Sequence, residues 1–168
     1  IRNLSNITVE ELSKIKGIGL AKACRIISAL ELGRRVSVAS EMQKFKISSP
    51  QDIGNVYMEE LRYKKKEIFR VVLLNTKNVI IGSKDISEGS LNASIVHPRE
   101  VFLEAIKKSA NKMILMHNHP SGDPTPSSED INITKRLISA GQIVGIEILD
   151  HVIIGDGSFY SFKENGQI

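Results

Sequence analysis

M-H-N-H-P-S-G-D-P-T-P-S-S-E-D, residues 116–130, holds two of the four histidines and three of the five prolines of a 168-residue chain. Ahead of it, Lys112 to Met116 is an apolar run that reads as a buried strand, and from Ile131 the apolar spacing becomes helical. His117 and His119 therefore sit at the end of a strand. Residues two apart in an extended chain point to the same side, so both imidazoles can address one point while Asn118 faces away. Asp130, in the first turn of the following helix, can complete a His-His-Asp set. Three protein ligands with a position left for water is how a catalytic zinc is held. The same residues have a plainer reading, because Ser127-Ser128-Glu129-Asp130 is also a capping box with Ser127 as N-cap.

The full spacing separates the two readings. His117-x-His119, seven residues, Ser127, two residues and Asp130 resembles the JAMM (MPN-plus) metalloprotease signature. The resemblance implies that both histidines and the aspartate bind zinc, with the serine beside the bound water. The wider wording resembles the RadC family, historically labelled DNA repair proteins, and Val96-His97-Pro98-Arg99-Glu100 and Leu149-Asp150-His151 extend the match over nearly the whole chain. In the JAMM pattern, the carboxylate that takes the water's proton is a Glu just before the first core strand. Glu67, directly ahead of Ile68-Phe69-Arg70-Val71-Val72-Leu73, holds that place, and Glu88 is the weaker candidate. As a structural residue Glu67 would merely pair with the lysines before it. Ser127 is expected to donate to a developing oxyanion, a role compatible with backbone capping.

Hydrophobic residues make up 41% of the chain, enough for a core, and a length of 168 suits one ordinary domain with a small appendage. No apolar run approaches the roughly 20 residues of a membrane span, and no charged-then-apolar leader opens the chain, so a cytoplasmic protein is expected. The chain opens on Ile1 rather than Met, which implies sequence upstream. Cys24 is the single cysteine, which excludes internal disulfides, zinc sites of Cys-x-x-Cys type and zinc deaminases. Any metal set must come from histidine and carboxylate.

Charge is unevenly placed. Residues 1–46 carry nine Lys and Arg against four Glu, a net +5, whereas the remaining 122 carry 14 basic against 15 acidic groups. Clustered positive charge favours polyanionic partners, with a solvated face as the plain alternative. Thr8-Val9-Glu10-Glu11 is a capping box for a short helix, Gly17-Ile18-Gly19 interrupts it, and a longer helix is predicted from about Leu20 to Arg35. The glycines allow positive φ and expose N–H groups at a helix start, where an anion is favoured. Leu12 to Ala23 resembles the helix-hairpin-helix, which grips nucleic-acid phosphates without reading sequence and which the RadC family carries at this position. Lys16, Gly17, Gly19, Lys22 and Arg25 are its candidate DNA contacts. The plain alternative is a helical hairpin packed on the other domain.

Residues 1–45 are thus expected to form a helix-hairpin-helix segment and 46–168 a metal-dependent hydrolase domain, with Val36 to Ser48 lacking a firm pattern. In the second part, Ser49, Pro50 and Asp52 start a helix through Leu61 that Lys64-Lys65-Lys66 ends. Ile68–Leu74 and Val79–Ile81 form a hairpin, and Asp85 to Ile95 is extended, with Gly89 permitting a bulge. His97-Pro98 opens a helix with Val101, Phe102, Ala105 and Ile106 on one side, His97 and Glu100 being positioning or capping residues. Ile131–Ala140 is a helix stopped by Gly141, Ile143–Leu149 a strand, and Val152–Ile154 with Phe159–Phe162 a last hairpin. Asp150-His151 reads as a buried hydrogen-bonded pair, with support of a ligand as the alternative.

The predicted class is α/β, a mixed sheet flanked by helices of JAMM/MPN type, with a small all-α N-terminal segment. The expected function is zinc-dependent cleavage of a peptide or isopeptide bond by a chain associated with DNA through its N-terminal hairpin. The substrate would be a peptide or protein conjugate of unknown identity. The competing reading is a non-catalytic DNA-binding or scaffold protein that keeps the metal for stability, favoured if Glu67 lies far from the histidines. An HNH nuclease is named for dispersed residues, which makes the contiguous His117-Asn118-His119 an accidental match.

Overall fold

The computed structural model describes residues 7–42, 45–89 and 96–168, apart from the side chains of 34–42. The chain forms two compact units, Ile1–Met42 and Gln43–Ile168.

In the first unit, α1 (Val9–Ser13) opens on the expected capping box: Glu11 N donates to Thr8 Oγ1 at 3.2 Å, and Thr8 N donates to the Glu11 carboxylate at 2.8 Å. Gly17 takes a φ of 91°, which a side chain would resist, and α2 then runs over Leu20–Met42. It is seven residues longer than the spacing predicted, because nothing between Val36 and Met42 is a glycine or proline that would break it. Arg2, Arg34, Arg35 and Lys44 of the basic stretch lie outside the described side chains.

The second unit is a five-stranded mixed sheet with helices on its faces, the predicted class. After α3 (Pro50–Leu61) come β1 (Ile68–Leu74), β2 (Ile80–Glu88), α4 (Pro98–Lys107), β3 (Lys112–Asn118), α5 (Ser128–Val144), β4 (Glu147–Ile154) and β5 (Phe159–Ser161). The spatial order is β2-β1-β3-β4-β5; β3 and β4 are parallel and joined through α5, and the other pairs are antiparallel. β1, at seven buried residues of seven, is covered on both faces, which is why it reads as one continuous apolar run.

On one face Phe69, Val71 and Leu73 of β1 and Met113 and Leu115 of β3 pack with Val101, Phe102 and Ala105 of α4 and Ile133 and Leu137 of α5. Truncating a buried leucine such as Leu137 to alanine costs about 2–5 kcal/mol, depending on how far the cavity collapses. On the other face lies α3, started by Asp52, whose carboxylate accepts from Ser48 N and Ser49 N at 2.8 and 2.9 Å. Its Gly54 leaves room for the ring of Phe159, which would lie 3.2 Å from a Cβ. Arg70, buried on this face, pairs with Glu60 at 2.8 Å and with Asp85.

Several boundaries differ from those predicted. α3 ends at Leu61 with Arg62 as C-cap, so the three lysines lie beyond it. β2 continues through Glu88; Gly89 follows at φ 126°, and residues 90–95 of the predicted extended segment lie outside the described residues. Ile106 is exposed, not part of the α4 core face. α5 passes through Gly141 and stops at Gly145, whose φ of 77° is the left-handed cap. Gly141 serves closeness instead: a Cβ there would sit 2.6 Å from the Ile146 carbonyl oxygen. The strand predicted to end at Leu149 is one strand through Ile154, carrying Asp150 and His151 in its middle.

Candidate metal centre

β1 and β3 are neighbours with Phe69 opposite His117, which puts the end of β3 beside the residue that precedes β1. Glu67, His117, His119 and Asp130 consequently converge, their ligand atoms all within 4.8 Å of one another. His117 is the penultimate residue of β3, and His119 lies just past the strand, anchored by its N–H to the Ile154 carbonyl at 2.9 Å. Asp130 arrives through the capping box of α5, in which Ser127 N and Ser127 Oγ both donate to Asp130 Oδ2 at 2.7 Å and Asp130 N donates back to Ser127 Oγ at 3.2 Å. The capping reading and the site reading of Ser127 and Asp130 are therefore one geometry.

Inside the cluster, His117 Nε2 stands 3.1 Å from His119 Nε2 and 3.2 Å from Asp130 Oδ1, and His119 Nε2 stands 3.5 Å from Asp130 Oδ2. Each histidine turns its Nδ1 outward, His119 to the Asp123 carbonyl oxygen at 2.8 Å and His117 to His151 Nε2 at 2.8 Å. A carbonyl only accepts, so a neutral His119 carries its hydrogen on Nδ1, and its bare Nε2 faces the carboxylate. Acceptor atoms aimed at one another in this way call for a proton or a metal cation between them. Ligand atoms about 2.0–2.1 Å from a tetrahedral zinc lie about 3.3–3.4 Å apart, the spacing found here. Glu67 Oε1, at 3.8 Å from His117 Nε2 and 3.9 Å from His119 Nε2, lies outside that spacing but at the rim of the same cavity. The donor set fits a divalent cation held by His117, His119 and Asp130.

A proton shared between these groups can do the same: burial by itself would raise the Asp130 carboxyl, yet hydrogen bonding with His117 and His119, and then with Ser127, outweighs it and holds the group well below the usual carboxylate range. The bond to Asp130 chiefly raises the His119 imidazole against the opposing effect of burial. Burial, joined by repulsion from His117, pushes His151 well below the ordinary histidine value.

Three contributors escaped sequence reasoning or were weighted too low. Asn118, between the histidines, faces the other way and accepts from Ile68 N at 2.9 Å while donating to the Lys64 and Lys66 carbonyls at 3.3 and 3.2 Å, fixing the backbone on both sides of Glu67. His151 touches His117 directly, which is the alternative left beside the favoured reading of a buried pair with Asp150; the Asp150 carboxylate does accept from His151 N at 2.7 Å, but its other partners are Ser161 Oγ and Lys163 N. Thr134, one turn after Asp130, reaches His151 Nδ1. The His-Asn-His wording and the Asp-His pair were the available signals. Glu88, the alternative base, pairs instead with Lys66 at 3.2 Å and is not in the cluster. Lys16, Gly17, Gly19, Lys22 and Arg25 are exposed on the first unit, with Lys22 Nζ donating to the Gly17 carbonyl at 2.9 Å.

A mixed sheet carrying two histidines at the end of a central strand, an aspartate in the next helix's first turn and a glutamate at the neighbouring strand's start defines a JAB/MPN-like domain with a candidate metal group. The chain belongs to the RadC-like JAB domain family, whose model matches residues 47–167. It is 61% identical over 165 residues to a UPF0758 protein of Alkaliphilus oremlandii, covering 98% of this chain and 71% of that one. A UPF0758 protein of Clostridioides difficile is 60% identical over 98% of this chain and 70% of its own. One from Geobacillus thermodenitrificans is 55% identical over the whole of this chain and 74% of its own. Among the described residues, no helix is long and apolar enough to cross a membrane.

Proposed function

We propose that residues 46–168 form a zinc-dependent hydrolase of JAMM type that cleaves a peptide or isopeptide bond, and that residues 1–45 associate the chain with DNA as a helix-hairpin-helix. One observation carries the hydrolytic reading: Glu67, a carboxylate not needed as a ligand, lies 3.8 and 3.9 Å from the two imidazole nitrogens that face the centre. A site kept for stability alone has no use for a second acidic group at that distance, which favours the enzyme over the scaffold.

When bound, zinc supplies Lewis acidity and lowers the pKa of water to about 7. His117, His119 and Asp130 hold it. Glu67, half-buried at the rim, takes the proton of the attacking water and passes it to the leaving amine, which needs no second acid. Ser127 lies on the exposed side of Asp130, and its hydroxyl turns from the Asp130 carboxylate to the substrate oxygen as negative charge develops there. A pocket of about 310 Å³ lined by Lys65, Lys66, Glu67, Gly89 and Pro120 offers a peptide a place to approach Glu67.

The test is Glu67→Gln, assayed on a panel of peptide and isopeptide conjugates screened first with the wild type. It keeps the shape and removes the base, so turnover should fall by about 10²–10⁴-fold with zinc content unchanged. Wild-type turnover in Glu67→Gln with zinc in place refutes this role for Glu67. DNA association is supported by the net +5 of residues 1–46, by the Gly17 turn and by the exposure of Lys16, Lys22 and Arg25.

A further inference from the structure

We propose that His151 is a positioning residue for the metal centre, an acceptor that holds His117 with its hydrogen on Nδ1 and its Nε2 bare, and that Thr134 sets the direction of this hydrogen-bond relay. The inference rests on the zinc reading and adds to it residues that lie outside the His-His-Asp-Ser-Glu pattern.

The direction follows from counting hydrogens. Thr134 Oγ1 lies 2.6 Å from the Asp130 carbonyl oxygen, which can only accept, so the one hydroxyl hydrogen of Thr134 goes there. The contact between Thr134 Oγ1 and His151 Nδ1 must then be made by a hydrogen on Nδ1. With its hydrogen on Nδ1 the ring offers Nε2 as an acceptor, and among the described residues the group before it is His117 Nδ1 at 2.8 Å, which therefore donates. The hydrogen of His117 is thereby held on the side away from the centre, and the lone pair of Nε2 faces His119 and Asp130.

The ring of His151 has little freedom to do otherwise. Phe162 stacks on it at a centroid distance of 4.9 Å and an interplanar angle of 14°, and Phe69 meets it edge-on at 5.7 Å. The relay also closes on itself. It begins at one candidate ligand, His117, and ends on the backbone of another, Asp130, passing from β3 to β4 to α5. The two candidate ligands are thus tied together before any metal arrives, and His117 gains donor strength from the acceptor nitrogen behind it.

Two measurements test this, with zinc alone as the probe. Competition against a chelator should show zinc bound about 10–100-fold more weakly in His151→Phe, which keeps the stacking shape without an acceptor, and weaker in the same direction in Thr134→Val, with Thr134→Ser restoring it. In zinc-free wild type, long-range proton–nitrogen spectra of the imidazoles should show His117 protonated on Nδ1. Wild-type protein that takes up no zinc overturns the metal reading itself. Zinc uptake undiminished in both variants, or His117 protonated on Nε2 in the zinc-free wild type, overturns the relay alone. If His151→Phe fails to fold, Thr134→Val and the wild-type spectrum decide.

Discussion

Asn118 Oδ1 accepts the backbone N–H of Ile68 at 2.9 Å, so the residue between the two histidines fixes the start of the strand that follows Glu67. One side chain on β3 thereby sets the height of the carboxylate just ahead of β1 relative to the imidazoles at the end of β3.

Replacing it separates placement from ligation. Asn118→Ala leaves the Ile68 N–H and the Lys64 and Lys66 carbonyls without this partner and should cost about 1–3 kcal/mol of stability, read by urea denaturation. Zinc affinity should change far less than turnover, because the ligands keep their supports while Glu67 loses its own. Equal losses in affinity and turnover would mean that Asn118 holds the ligands instead.

Ser127 and Asp130 should divide differently. Asp130→Asn removes the negative ligand and should lower zinc affinity as well as rate. Ser127→Ala removes an N-cap, about 1 kcal/mol of helix stability, and an oxyanion donor, about 10²-fold or more in rate. Zinc retained at wild-type affinity in Asp130→Asn contradicts its assignment as a ligand.

The pH response of the zinc-free protein and of zinc binding should have opposite signs. The bond to Asp130 raises His119 above 6.5, so its contribution to stability is complete below that value and is lost as pH rises through the higher folded one. Zinc needs the neutral ring, and its affinity should fall as pH falls through the same folded value. Denaturation in chelator and zinc competition across about pH 6–8 measure the two slopes, and His119→Gln should flatten the first. Parallel slopes would remove His119 from the centre.

DNA affinity should reside in residues 1–45 and be independent of sequence. Phosphate contacts release counterions, so it should weaken steeply as salt rises. Fluorescence anisotropy at two salt concentrations, comparing the chain with a fragment beginning at Lys46, tests this. Equal affinity of the two would refute the assignment.

What the sequence made legible was what local geometry determines. His117 and His119 lie two apart at a strand end, and Asp130 occupies the third helical position after an N-cap serine, so each placement depended on a few neighbouring residues. Glu67 needed one tertiary step, the pairing of β1 with β3. His151 was harder to read for two physical reasons. It lies 34 residues from His117, and the register shift in β4 breaks the alternation from which its side would be inferred. Gly141 misled because a glycine near a helix end signals a cap, whereas here it allows the Ile146 carbonyl to approach.

That irregularity in β4 has an electrical consequence. Met113 stands opposite Ile148, but Ile114 stands opposite Asp150, so the surplus residue Leu149 turns His151, not Asp150, toward His117. If His117, His119 and Asp130 hold a divalent ion, only one of its charges is cancelled. Strict alternation from Ile148 would set a second carboxylate behind His117 and cancel the other. One inserted residue, without touching a candidate ligand, would thus keep the centre a net cation and a stronger acid toward whatever it polarises.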